Sequence, residues 1–207
     1  MRVGIVNYGM GNIGSIRRAL EDLGSDVFVA EHPSALFDAN RIVLPGVGAF
    51  AEAMGRLHDE GWSDALDCLV REQGRPLIGI CLGMQLLASS GDEGGPNPGL
   101  NFIPGEVKRL DVLGCTLRIP HVGWNDITVN LDDPLFAHIP QNTDFYFVHS
   151  FVFVPDDNIV CIAETHYEIP VVAAVHSNHV FGTQFHPEKS SKAGRQLLRN
   201  FLEYRVC

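Results

Sequence analysis

Cys81, His186 and Glu188 are the residues of this 207-residue chain whose types and settings offer covalent chemistry. Cys81 stands in "GICLG", between Gly79 and Gly83, where the β-rich run 76–80 hands over to a helical pattern. In a G-x-C-x-G turn the first glycine permits close packing behind the nucleophile, and the second removes a clash at the turn. The cysteine then projects above a sheet at the start of a helix, a position that favours thiolate over thiol. The amide of Leu82, the next residue, points where an oxyanion would form. A buried structural cysteine is the ordinary alternative, and Cys68, Cys115 and Cys161 receive that reading. For Cys81 the paired glycines favour a nucleophile.

A thiol nucleophile needs a base and a group that orients the base. "GTQFHPEKS" offers His186 and Glu188. On an extended chain, residues i and i+2 point to one side, with α-carbons roughly 6.6 Å apart. Glu188 would then take one imidazole nitrogen and leave the other for Cys81, with Pro187, which lacks an N–H, ending the ladder there. Spacing alone describes a solvated His–Glu pair equally well; nearness to Cys81 is what would make it a site. "LPGVGAF" (44–50) is a second glycine-rich turn at a strand's C-terminal end, the edge where open α/β sheets bind ligands. His149 in "YFVHSF" shares a face with Phe147 and Phe151 if that strand is regular. It is then either a satisfied core histidine or part of a pocket. His32, His58, His138, His166, His176 and His179 have no partners at metal-ligand spacing, and "MGNIGSIRR" is not a dinucleotide fingerprint.

The elements that must position these residues alternate in the first half of the chain. Strand-like runs at 2–6, 26–30, 41–45 and 76–80 are separated by a helical pattern from Gly11 (Ile13, Ile16, Leu20, Leu23, with Gly24 capping) and a partly helical region from Phe50 to Gln73. This order predicts a parallel sheet covered on both faces. "SSGDEGGPNPG" (89–99) reads as a loop. Beyond it come β-type runs, "GEVKRL", "CTLRIP", "DFYFVHSFVFVP", "IVCIAET", "VVAAVHS" and "VFGTQF", and a closing helix from Ser190 with Leu197, Leu198, Phe201 and Leu202 at helical spacing. No internal repeat or linker divides the chain, so the expected fold is α/β, one domain with a central mixed, mostly parallel sheet flanked by helices.

Composition narrows the function classes. With 15 basic and 25 acidic residues the formal net charge is −10, which disfavours nucleic acid and anionic lipid as partners. The five cysteines (68, 81, 115, 161, 207) are odd in number and widely spaced, which argues against a disulfide framework or a zinc site and for a reducing compartment. No apolar run is long enough for a membrane span or a secretory core, so a soluble, cytoplasmic protein is expected.

Taken together, "PGVG" at 45–48, "GICLGMQ" at 79–85 and "FHPE" at 185–188, in that order, resemble the class I (triad) glutamine amidotransferases. Within them the chain is similar to the family of glutaminase subunits of imidazole glycerol phosphate synthases, which serve histidine biosynthesis. That likeness is carried by "VNYGMGN" at 6–12, "LPGVGAF" at 44–50, "PHVGWN" at 120–125, "YFVHSF" at 146–151 and "FHPEKS" at 185–190.

The resemblance implies a flavodoxin-like amidotransferase domain over 1–207 with no cofactor or metal. It implies a catalytic triad of Cys81, His186 and Glu188, and oxyanion donors from Leu82 and the Gly46–Val47 peptide. Glutamine contacts fall to Gly48, Gln85, Glu93, His149, Ser150 and Phe151, with Asp92 an alternative to Glu93 for the substrate ammonium. Ammonia would pass to a (β/α)8-barrel cyclase subunit in a heterodimer, met by Asn12, Trp124, Asn125, Tyr146 and Lys189, and rotation of the "PGVG" peptide would switch activity. Asn7 and Gly14 depart from the aspartate and the larger, often basic residue expected there. Two alternatives stay open: a paralogous subunit supplying ammonia for surface-sugar amidation, and a stand-alone γ-glutamyl thiol hydrolase of the same fold.

Overall fold

The computed structural model describes residues 1–130 and 132–205; Cys207 lies outside them. Five parallel strands form the heart of the molecule: β1 (Arg2–Val6), β2 (Asp26–Ala30), β3 (Arg41–Gly46), β4 (Leu77–Cys81) and, much later in sequence, β13 (Val180–Thr183). They are ordered β2-β1-β3-β4-β13, and the sheet continues antiparallel through β12 (Ile169–Ser177), β11 (Cys161–Tyr167), β8 (His121–Val129) and β9 (Thr143–His149). Parallel neighbours need crossover connections, and helices supply them. α1 (Ile13–Glu21) links β1 to β2, while α2 (Phe50–Asp59), α3 (Trp62–Leu66) and a π-helical turn (Asp67–Glu72) link β3 to β4.

Every residue of β3 and of β4 is buried, as apolar strands covered on both faces must be. One face packs Val6, Leu44 and Leu77 against Phe50, Leu57 and Trp62 of α2 and α3. The other packs Ile5, Val43, Ile78 and Ile80 against Ile16 and Leu20 of α1 and Leu197, Leu198 and Phe201 of α5 (Ser191–Glu203). The i, i+4 pairs Ile16/Leu20 and Leu197/Phe201 are the helical stripes read from the sequence. Among the described residues no helix is long and apolar enough to cross a membrane.

The second half departs from the sequence reading in four places. The glycine-rich segment 89–99 is not wholly loop: β5 (Ser90–Gly91) and β6 (Asn97–Pro98) join β7 (Gly105–Arg109) and β10 (Phe151–Pro155) in a second sheet, ordered β10-β7-β5-β6. "CTLRIP" is irregular rather than a strand, and the strand is β8, directly after it. The alternation in β8 is inverted: Val122 and Trp124 face outward, while the inner face begins with His121 and Asn125 before Ile127 and Val129. "DFYFVHSFVFVP" is not one strand. It breaks at Ser150, where the chain leaves the large sheet (β9) for the small one (β10). The strand in "VFGTQF" ends at Thr183, with one further backbone bond from Gln184 to β12, so Phe185 and His186 run on past the ladder.

These breaks put four chain ends at one edge: the end of β3 at Gly46, the end of β4 at Cys81, the end of β9 at His149, and the run beyond β13.

Candidate active site

Cys81 ends β4 with φ 57° and ψ −111°, a backbone conformation that L residues rarely adopt. The turn is possible because of its glycines. A Cβ on Gly79 would lie 2.5 Å from the Gly83 carbonyl oxygen, and one on Gly83 would lie 1.9 Å from the Leu44 oxygen. The strand-to-helix turn is thus pressed against β3, backbone to backbone. Gly83→Ala is expected to destabilise the fold by about 3 kcal/mol or more, read as a lower urea midpoint; an unchanged midpoint would contradict this packing. The helix after Cys81 is shorter than its sequence pattern suggests: α4 covers only Leu82–Gln85 before loosening into turns. Leu82 is its first residue, so the Leu82 N–H is not used by the helix's own ladder.

His186 and Glu188 meet as their types suggest but by a different local geometry. The chain is not extended there; Pro187–Lys189 is a 3₁₀ turn. It folds the Glu188 carboxylate back so that His186 Nδ1 donates to Oε1 at 2.8 Å. Both side chains are almost wholly buried. Nδ1 is taken by Glu188, so Nε2 is the nitrogen left for Cys81. Burial pulls the His186 pKa down, but the Cys81 sulfur and the Glu188 carboxylate outweigh it and hold it up at about 9. Neither His186 Nε2 nor Glu188 Oε2 has a hydrogen-bond partner among the described residues, and a buried acceptor or donor of this kind is costly unless it has work to do.

Cys81 and His186 open into one cavity of about 330 Å³, also lined by Val47, Gly48, Leu82, Gln85, Glu93 and residues 148–151. Gly46 is not in that lining: a Cβ on it would meet the Gly83 amide, Leu82 and the Tyr8 hydroxyl, each at 2.8 Å. The Tyr8 hydroxyl donates to the Pro45 carbonyl at 2.9 Å and so anchors the start of the turn. Burial raises the Tyr8 pKa, with the Cys81 charge adding to it. Beyond Gly46 the turn is freer, with Val47 44% exposed and Gly48 at φ +118°. The two acids of the glycine-rich segment separate cleanly. Asp92 pairs with Lys108 at 2.9 Å, whereas Glu93 lines the cavity and accepts from the Phe50 amide at 2.8 Å.

His149 proves to be both core and pocket. Its Nδ1 donates to the Phe151 carbonyl at 3.0 Å, and its Nε2 lies 3.0 Å from Nδ1 of His121. Burial holds His149 down to about 3 and His121 down to about 4, so both rings are neutral. Phe151 does not share the His149 face on one regular strand, because the chain turns at Ser150. His121, stacked between Phe147 and Tyr167, is a residue the sequence reading missed as part of a site. Gln184 is another: wholly buried, it contacts both Gln85 and Cys81. Tyr8 is a third.

The five residues assigned to a partner surface do not all share one face. Trp124 is 53% exposed and packs edge-on against Tyr146 at 6.0 Å, and Lys189 Nζ lies 5.7 Å over the Tyr146 ring. Asn12 lines a neighbouring hollow with Lys189 and Arg18. Asn125 alternates to the inner side of β8, where its amide donates to the His166 carbonyl at 3.1 Å and lies 3.4 Å from His121 Nε2.

A thiol held at a strained turn, an imidazole oriented by a buried carboxylate, the Leu82 amide next to the sulfur and an acid across the cavity can cleave a carbonyl compound that carries a cationic group. Comparison with known proteins agrees in kind. A family model described as glutamine amidotransferase class-I matches residues 4–204. The chain is 45% identical over 201 residues to the imidazole glycerol phosphate synthase subunit HisH of Moorella thermoacetica, covering 97% of this chain and 94% of the relative. It is 40% identical over 206 residues to the HisH subunit of Geobacter sulfurreducens, covering 98% of each. Among solved structures, one described as a glutamine amidotransferase superposes with a TM-score of 0.77 at 22% identity over 97% of each chain. The structure of PurLQS from Thermotoga maritima gives 0.74 at 21% identity over 98% of each. At such identities the structural likeness speaks for the fold alone.

Proposed function

The chain belongs to the class-I glutamine amidotransferase family, and from that membership we propose that it is the glutaminase subunit of an imidazole glycerol phosphate synthase. Residues 1–207 act as one amidotransferase domain. Cys81 attacks the side-chain carboxamide of glutamine. His186 takes the thiol proton and returns it to the leaving nitrogen, so that ammonia departs and a γ-glutamyl thioester remains. Water, activated by the same imidazole, then releases glutamate. The Leu82 amide and the Gly46–Val47 peptide hold the oxyanion, and Glu93 takes the substrate ammonium. Gly48, Gln85, His149, Ser150 and Phe151 complete the pocket.

The observation that carries this reading is the single cavity that brings Cys81, Gln85 and Glu93 together with Val47, Ser150 and His186, which lie far from them in sequence. Identity of 40–45% to HisH subunits over nearly the full length supports the synthase assignment.

The ammonia passes to a (β/α)8-barrel cyclase subunit, so the working unit is a cytoplasmic heterodimer. Trp124, Tyr146, Lys189 and Asn12 form the face that meets it, with Trp124 as the aromatic anchor. Asn125 supports that face from behind. The Tyr8 bond to Pro45 leaves Val47 and Gly48 as the part of the turn free to rotate on activation.

The test is glutamine hydrolysis by the chain alone, with the cyclase subunit, and with that subunit plus its nucleotide ligand. Stimulation by about tenfold or more on adding partner and ligand is expected. High activity of the isolated chain that no partner changes would point to a stand-alone hydrolase instead.

A further inference from the structure

Gln184 follows β13 and is wholly buried, its amide N–H donating to the Ala173 carbonyl at 2.8 Å. One end of its side chain lies 2.9 Å from Gln85 Nε2, and the other 3.8 Å from Cys81 Sγ. Which end is the amino group decides what the sulfur meets, and one backbone carbonyl settles it. The Phe151 oxygen can only accept. Gln85 approaches it at 2.9 Å, so that end of Gln85 is its –NH2 group, whose second hydrogen is left for Gln184. The facing end of Gln184 must therefore be its oxygen, and its –NH2 is turned to Cys81.

The same carbonyl fixes the neighbouring rings. His149 Nδ1 also reaches it, so that nitrogen carries hydrogen, and Nε2 must accept from His121 Nδ1. His121 Nε2 is then an acceptor. The far end of the chain agrees independently: Asn125 is held to the His166 carbonyl through its –NH2 and presents that donor to His121 Nε2. Two runs of donors thus meet at the Phe151 carbonyl: Asn125 to His121 to His149 on one side, and on the other Gln85, whose second hydrogen goes to Gln184.

Besides His186, two described groups meet the sulfur and respond oppositely to its charge. The Val148 carbonyl at 3.7 Å accepts from the thiol S–H, a contact that vanishes when the proton leaves. The Gln184 N–H donates, a contact that strengthens when the sulfur becomes negative. A flipped Gln184 would present lone pairs to that charge.

Resting on the reading of Cys81 as the nucleophile, we propose that Gln184 is a positioning residue that donates to Cys81 Sγ, favouring the thiolate and fixing its direction of attack, while Gln85 and the Phe151 carbonyl keep its amide from flipping. The step needs no further reactant: the proton leaves sulfur for His186, and the Gln184 hydrogen bond remains with the anion.

The test uses the full chain and the rate of Cys81 alkylation by iodoacetamide between pH 5 and 10, followed on the Cys81 peptide by mass spectrometry. Gln184→Met keeps the length and removes the donor; Gln184→Glu keeps the acceptor for Gln85 and turns the donor into a second acceptor. Loss of one hydrogen bond to a charged group is expected to move the alkylation curve upward by about one pH unit in Gln184→Met, and further in Gln184→Glu. For glutamine, kcat is expected to fall about tenfold with KM within about twofold. If Gln184→Met does not fold, Gln85→Met carries the same test by freeing the amide to flip, with a smaller upward shift expected. Alkylation curves that superimpose on the parent would overturn the proposal. A shifted curve sustains it even if the chain does not hydrolyse glutamine, an outcome that would instead remove the glutaminase reading.

Discussion

Cys81→Gly is expected to abolish glutamine hydrolysis and yet be more stable than Cys81→Ala by about 1 kcal/mol. The loss of activity, about 10⁴-fold or more, is expected from removing the one sulfur that lines the cavity among the described residues. The stability difference follows from the backbone. At φ 57° and ψ −111° any residue with a Cβ is strained, and neither the packing of Gly79 against Gly83 nor that of Gly83 against β3 allows the turn to relax. Glycine adopts this conformation freely, which outweighs its larger unfolded-state entropy. Alanine removes the sulfur and keeps the strain. Urea midpoints of the two variants, each with its residual glutaminase rate, make the comparison. Equal midpoints would mean that the turn is comfortable for any residue and that the cysteine is not held under strain for its chemistry.

That strained turn was legible in the sequence because its causes are local: two glycines, two residues away on either side, at a strand end. The parallel half of the sheet was legible for the same reason, since strands buried on both faces, such as β4, are apolar throughout. What could not be read depends on partners remote in sequence. Gln184 meets a sulfur 103 residues away, and His121 meets a ring 28 residues away; both sit in segments quoted for other reasons, and nothing local marks these contacts. That Glu93 rather than Asp92 lines the cavity goes with Lys108 on β7, which pairs with Asp92. β8 was hidden because its inner face begins with His121 and Asn125, so the apolar alternation that marks a half-buried strand falls on the solvent side. The kink at Ser150 was invisible because either half reads as the same strand; only the existence of a second sheet separates them.

Replacing Glu188 by glutamine is expected to lower kcat by about a hundredfold or more and to change how stability depends on pH. The Glu188 side chain is fully buried and accepts from His186 Nδ1 at 2.8 Å, which leaves Nε2 free to face Cys81. A glutamine has the same shape, but its amide has no second contact to orient it, because Oε2 of the parent carboxylate is already without a partner. With its –NH2 toward Nδ1, the imidazole would carry its hydrogen on Nε2 and face Cys81 as a donor, the wrong tautomer for a base. The charge matters too. The His186 pKa, held at about 9 in the folded protein against an ordinary value of 6.5, is raised on folding. A raised group contributes stability that is complete below the unfolded value and lost as pH rises through the folded one. The parent is therefore expected to lose stability progressively from about pH 6.5 to pH 9. Glu188→Gln removes one of the two groups that raise His186, so its loss should be smaller and finish at lower pH. Urea unfolding at half-unit steps from pH 6 to 10 reads both curves. Parallel curves for parent and variant would show that Glu188 does not hold the imidazolium, and the triad would then reduce to a Cys81–His186 pair.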